Sequence, residues 1–209
     1  MDQSKGLGKW AKPGAWNDLD FLEIDIGNFD YTNSQKKSNK ILLMNKAHFS
    51  LWSILSAPLI VGMDLRNISN EIFNIITNKN AIDINQNYLN NAGDIIIEFD
   101  GITNEFREEY INKMMENNNQ TQLFYKPLPI NIGDGAFLFL NRNTTLNYSM
   151  SLEFNQLPLT NNHNDSLQCN ALDIWSNKTF IATNFSATLL PMSVKFIKLS
   201  NCSSVSDKL

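Results

Sequence analysis

The sequence has few of the residues that metal or redox chemistry needs: two cysteines, Cys169 and Cys202, and two histidines, His48 and His163, in 209 residues. Residues so few and scattered exclude a Cys/His metal cluster, whose ligands come at close, regular spacing. The cysteines allow one intramolecular disulfide or two free thiols, and the sequence leaves both open. No apolar stretch approaches the length needed to cross a bilayer, and the opening Met1-Asp2-Gln3-Ser4-Lys5 lacks the apolar core of a signal peptide. Lys/Arg runs are also missing; with a net charge of −4 there is no patch to neutralise a phosphate backbone. No Gly-rich phosphate loop, nucleophile elbow or metal-ligand spacing occurs. Neither a nucleic acid nor a membrane is therefore an expected partner.

What is present is a globular composition, 43% hydrophobic and 11% aromatic, enough for one large domain or two small ones. Asparagine makes up about one residue in seven, a bias that reads as genomic background. It raises the number of Asn-X-Ser/Thr acceptors, at Asn67, Asn119, Asn143, Asn147, Asn164, Asn177, Asn184 and Asn201, a set that also suits a secreted glycoprotein.

Along the chain, residues 39–56 predict an amphipathic helix with Leu43, Ala47, Leu51, Ile54 and Leu55 on one face. The apolar run Ala57 to Leu65 reads as a strand buried on both faces of a parallel sheet. Ser69 then caps a second helix carrying Ile72, Phe73, Ile75 and Ile76. Beyond about Asn91 the pattern changes to short runs separated by turns, at 94–100, 122–126, 136–140, 147–154, 170–175, 185–190 and 193–199. Several alternate apolar with polar residues, which predicts an antiparallel sandwich. Residues 103–119, polar with Phe106, Tyr110, Met114 and Met115 at near-helical spacing, read as a helical insertion. Trp52 reads as helix packing, Trp175 as sandwich core, His48 as a packing or capping residue, and Asp64 beside Arg66 as a cap. His163 falls in an Asn-rich turn.

The stretch with the most chemistry is Pro13-Gly14-Ala15-Trp16-Asn17-Asp18-Leu19-Asp20-Phe21-Leu22-Glu23. An indole packs on the apolar face of a pyranose while carboxylates take its hydroxyls. On an extended strand Asp18 and Asp20, at i and i+2, share a face. A retaining glycosidase instead needs two carboxyls flanking the sugar, about 5 to 5.5 Å apart. Neighbours on one strand suit hydroxyl binding better than that division of labour.

This stretch, with 48–54 (His-Phe-Ser-Leu-Trp-Ser-Ile), 57–67 (Ala-Pro-Leu-Ile-Val-Gly-Met-Asp-Leu-Arg-Asn) and 81–86 (Ala-Ile-Asp-Ile-Asn-Gln), resembles successive blocks of the melibiase-type α-galactosidases, glycoside hydrolase family 27. Weaker matches follow at 171–175 with Lys178 and at 193–199. The resemblance covers most of the chain apart from 103–119 and an extra segment at 35–45. It implies an α/β plus all-β fold: residues 1–91 as the last two strand-helix units of a (β/α)8 barrel, and residues 92–209 as a C-terminal antiparallel β-sandwich carrying the 103–119 insertion. In such barrels the site lies at the C-terminal strand ends. By the resemblance Asp20 binds galactose and Phe21 lines the pocket, with Trp16 and Asp18 in support. The chain departs from the family in having Leu19 where Pro is usual and Phe21 where Met is usual.

The resemblance further implies a retaining glycosidase that cleaves terminal α-linked galactose of oligosaccharides or glycoconjugates, needs no cofactor and is secreted or lysosomal/vacuolar. The longer form could be a homo-oligomer. Strands one to six, with the nucleophile and the acid/base, have no counterpart in these 209 residues, so the chain alone is expected to be inactive. Two other readings are an α-N-acetylgalactosaminidase specificity and a non-catalytic carbohydrate-binding or structural β-sandwich module.

Overall fold

The computed structural model describes residues 5–25, 35–95, 121–128, 134–159 and 166–205. The 103–119 segment and His163 lie outside them. The first helix, α1 (Gln35–Ile54), contains most of the predicted one and begins earlier. Ala47, Leu51, Ile54 and Leu55 are buried along it as the periodicity requires. The predicted second helix is α2 (Asn70–Ile76), and a further helix, α3 (Lys79–Gln86), follows it. The Ser69 hydroxyl caps α2 by accepting from the Ile72 N–H at 3.2 Å, and Asn78 caps α3 by accepting from the Ala81 N–H at 3.0 Å. On α2, Ile72 and Ile75 are buried, whereas Phe73, turned off that face by its spacing, is exposed.

The C-terminal end of α1 leaves carbonyls that must find donors. Asn85 gives its amide to Trp52 O at 3.0 Å and Ala57 O at 2.9 Å, and the Gly93 N–H donates to Ile54 O at 3.0 Å. Helix α1 is thus tied to α3 and to the chain entering the sheet.

That sheet has six antiparallel strands in the order β1-β2-β3-β8-β5-β6: β1 (Asp94–Ile95), β2 (Thr121–Pro127), β3 (Gly135–Asn141), β5 (Leu167–Asp173), β6 (Lys178–Ala182) and β8 (Val194–Ser204). A second sheet pairs β4 (Tyr148–Glu153) with β7 (Asn184–Leu189). One face of the large sheet, with Phe124, Ala136, Leu138 and Phe196, packs on the helices. The other, with Tyr125, Phe137, Phe139, Ile197 and Leu199, packs on Met150, Leu152 and Leu189 of the small sheet. Strand β3 is buried along its whole length, because both of its faces are covered. The predicted sandwich is present, with one strand, β6, that the sequence pattern did not pick out.

Two expectations need correction. Residues 57–65 form no strand; a single parallel bridge joins Leu22 to Val61, with the Leu22 N–H donating to Ile60 O at 2.8 Å and the Gly62 N–H to Leu22 O at 3.1 Å. Ile60 is 52% exposed rather than buried on two sides, since one bridge cannot cover a run of apolar residues. Trp175 does not belong to the sandwich core. Its indole N–H donates to the Ser50 hydroxyl at 2.9 Å and its ring meets Phe49 edge-on at 6.5 Å, so it joins the sheet to α1. The cysteines, whose pairing the sequence left open, are bonded: Cys169 and Cys202 join β5 to β8.

Lys126 of β2 is fully buried on the helix side of the sheet. Its ammonium donates to the Ser56 hydroxyl at 2.5 Å, to Asn85 O at 3.2 Å and to Ile84 O, so it caps the C-terminal end of α3. Burial pushes its pKa down from the ordinary lysine value to about 7, against the opposing pull of Asp83. Between about pH 7 and the ordinary lysine value, the unfolded chain therefore binds the proton that the folded chain has released. Unfolding free energy should rise with pH over that window, by about 2 kcal/mol between pH 7 and pH 9. Urea melts at the two pH values, with Lys126→Met as the variant that loses the slope, check this.

Candidate functional site

The predicted sugar-binding residues lie on a segment shaped almost entirely by side chains that bond the backbone. Lys12 to Ala15 close a tight turn, with the Ala15 N–H donating to Lys12 O at 2.8 Å. Pro13 and Gly14 occupy its two central positions, and Gly14 has φ +84°, as this turn type demands. The turn delivers Trp16 edge-on to Tyr88, ring centroids 5.3 Å apart, and the Tyr88 hydroxyl donates back to Ala11 O at 2.7 Å. Trp16 keeps 38% of its surface exposed. Asn17 donates its amide to Leu7 O at 2.8 Å.

The next residues differ from the extended strand that the sequence suggested. Asp20 has φ +70°, in the left-handed region. One Asp18 oxygen accepts from the Asp20 N–H at 2.9 Å, and one Asp20 oxygen accepts from the Phe21 N–H at 2.8 Å. Asp tolerates this conformation because its short side chain bonds the neighbouring backbone. Alternation is broken at Asp20, so the shared-face argument for the two carboxylates does not hold. Their assignment away from the reacting pair rests on something firmer: each spends one oxygen on its own turn. Among the described residues neither second oxygen has a partner, and both side chains are exposed to solvent.

Three residues that hold this turn were not visible in the sequence. Trp52, on the buried side of α1, donates its indole N–H to Asp20 O at 3.2 Å and so fixes the left-handed residue from beneath. Gly62 admits Phe21: a Cβ at position 62 would come within 2.9 Å of the Phe21 Cβ. Asp94, buried at the start of β1, accepts from the N–H groups of Gly6 at 3.1 Å and Gly8 at 2.9 Å. It fastens the segment before the motif to the edge of the sheet. Each of these roles depends on residues brought together by the fold, so only the glycine could have left a trace in the pattern.

The remaining candidates are structural. The His48 ring packs on Trp52, centroids 4.2 Å apart, and burial holds its pKa below the ordinary imidazole value. Asp64 accepts from the Arg66 N–H at 3.0 Å at the start of a short 3-10 turn. The Arg66 guanidinium pairs with it at 2.6 Å and holds its carboxyl below the usual carboxylate range. Both act locally, as the cap reading predicts. Among the described residues no group of three or more His, Cys, Asp or Glu is placed to hold a metal ion, and no helix is long and apolar enough to cross a membrane.

This turn, with its Trp and its two carboxylates, lies inside the part of the chain that matches a known family. The family described as "Alpha galactosidase A" matches residues 1–87. The match of residues 1–87 is to the α-galactosidases. Over 89 residues the chain is 42% identical to α-galactosidase A of Cellvibrio japonicus, covering 43% of this chain and 19% of that protein. An α-galactosidase of Oryza sativa subsp. japonica is 26% identical over 200 residues, 95% of this chain and 39% of that protein. The chain thus spans less than half the length of these α-galactosidases. The fold match reaches beyond residue 87: the crystal structure of α-galactosidase I from Mortierella vinacea superposes with a TM-score of 0.70 and 22% identity, over 94% of this chain and 42% of that one. The sheets therefore share the fold of the corresponding part of that structure.

Proposed function

We propose that this chain carries one wall of the galactose site of a retaining, α-galactosidase-type glycoside hydrolase. Residues 1–91 would correspond to the last two strand-helix units of its (β/α)8 barrel, and residues 92–209 to its terminal β-sandwich. The observation that carries the reading is the Asp20 turn inside the stretch that matches the α-galactosidases. It is bonded from below by Trp52 and, among the described residues, leaves one Asp20 carboxylate oxygen without a partner, beside a part-exposed indole. Donor and acceptor hydroxyls of a pyranose need such an oxygen, and its apolar face needs a ring. Asp20 is the hydroxyl acceptor, Trp16 and Phe21 the apolar wall, and Asp18 the residue that sets the turn. The substrate class is terminal α-galactosides of oligosaccharides or glycoconjugates, and the compartment secreted, lysosomal or vacuolar.

Cleavage needs two carboxyls flanking the anomeric carbon, one to attack and one to protonate the leaving oxygen. Asp18 and Asp20 are two residues apart and each is bonded to the same turn, so they cannot approach the sugar from opposite sides. The 209-residue chain alone should therefore release no phenol from an aryl α-galactoside above the uncatalysed rate. Turnover that scales with its concentration and is lost in Asp20→Asn would overturn this assignment of the carboxylates.

A further inference from the structure

Among the described residues strand β6 pairs only with β5, which makes it one edge of the six-stranded sheet. Open edges invite pairing with a second chain, and proteins blunt them with charge, proline or a covering element. In β6 (Lys-Thr-Phe-Ile-Ala) the one charge is at the first position, there is no proline, and Ile181 is 67% exposed. The strand is bracketed by two Asn-X-Thr/Ser acceptors. Asn177 sits in the β5–β6 turn with φ +54°, and Asn184 opens β7 two residues past the end of β6. Both asparagines are exposed, as are Thr179 and Ser186, the hydroxyl residues of the two acceptors. An Asn-rich composition creates such triplets by chance; what sets these two apart is that both are exposed and lie at the two ends of an edge strand with an exposed Ile181 and a single charge. The Cys169–Cys202 disulfide, which joins the strand beside β6 to β8, is a second sign of an oxidising compartment, where this modification is made.

We propose that Asn177 and Asn184 carry N-linked glycans that screen the β6 edge from self-pairing. An oligosaccharide carried on a polyprenyl diphosphate is the co-reactant: its anomeric C–O bond breaks, a C–N bond forms to the Asn amide nitrogen, the amide proton is released and the polyprenyl diphosphate leaves, so each side chain bears a bulky, hydrated group. The inference does not depend on the galactose reading, since the acceptors lie in the sandwich and not in the Asp20 turn.

The full 209-residue chain, secreted from a eukaryotic host behind a cleavable leader, provides the test. Enzymatic release of N-glycans converts each occupied Asn to Asp, which peptide mass spectrometry reads residue by residue. Both 177 and 184 should be converted. Thr179→Ala and Ser186→Ala should each abolish conversion at the corresponding asparagine, leaving the Asn177 turn intact. After release, the protein should elute earlier on size exclusion than before it, and Ile181→Lys should remove that difference. An unconverted Asn at either position, or an elution volume unchanged by release, would overturn the proposal.

Discussion

Gly93→Ala should lower the stability of the chain by about 3 kcal/mol, roughly a 6 to 12 °C fall in Tm for a protein of this size. A Cβ at position 93 would lie 2.1 Å from Ile54 O and 2.9 Å from Ile54 C, both backbone atoms that have no side-chain rotation to escape through. The chain can accept it only by moving the segment before β1 away from α1. That breaks the bond from the Gly93 N–H to Ile54 O and leaves a carbonyl at the end of α1 without a donor. Gly14 is the natural control. It has φ +84° but nothing within 4 Å of a built Cβ, so Gly14→Ala carries only the strain of the backbone angle, about 1 kcal/mol. Thermal melts of the two variants side by side separate close approach from conformational freedom. Equal losses would show that the α1–β1 contact is looser than described.

Opening the Cys169–Cys202 bond should cost a similar amount. The bond closes a segment with a sequence separation of 33, and the chain-entropy relation for a loop of that size gives about 3 to 4 kcal/mol. The expected route is a more open unfolded chain rather than a changed core, because both cysteines lie on adjacent, already paired strands. Denaturant melts with and without reductant, and of Cys169→Ala/Cys202→Ala, should agree with each other. A reduced protein as stable as the oxidised one would contradict the assignment of the pair as bonded in the folded state.

The sandwich was legible in the sequence because its strands alternate. In β5 and β4 every second residue is buried, and the period-2 pattern survives in the amino acids themselves. Strand β6 escaped because at an open edge most of its residues are exposed, and nothing forces alternation there. The apolar run 57–65 misled in the opposite way. Its composition fits a doubly buried strand, but strand formation depends on partners, and the described residues supply one bridge. Trp175 was placed in the wrong layer because it lies in the β5–β6 turn, past the last residue of β5, where strand alternation no longer decides which side a ring takes.

The residues of the candidate site stand out in the sequence, whereas the shape of their segment does not. Trp16, Asp18, Asp20 and Phe21 stand out by type, and all four lie on one short segment. The left-handed φ of Asp20 could not be read, because Asp is compatible with both strand and turn, and the deciding bond comes from Trp52, thirty-two residues away. Asp18 changes role as a result. As a strand neighbour it would be a second sugar ligand, whereas by accepting from the Asp20 N–H it becomes the residue that sets the turn.

We propose that the Asp20 turn is a galactose-binding wall already formed in this chain. Titrating D-galactose into the isotopically labelled 209-residue protein, with backbone and indole N–H shifts recorded, addresses it directly. One wall of a site should bind a monosaccharide weakly, with a Kd on the order of 10 mM. The prediction is saturable shifts at Trp16, Asp20 and Phe21 and at the Trp52 indole, with Trp175 silent. The shifts should be smaller with D-glucose and lost in Asp20→Asn. No galactose-dependent shift in this turn, or the same shifts in Asp20→Asn, would contradict the claim.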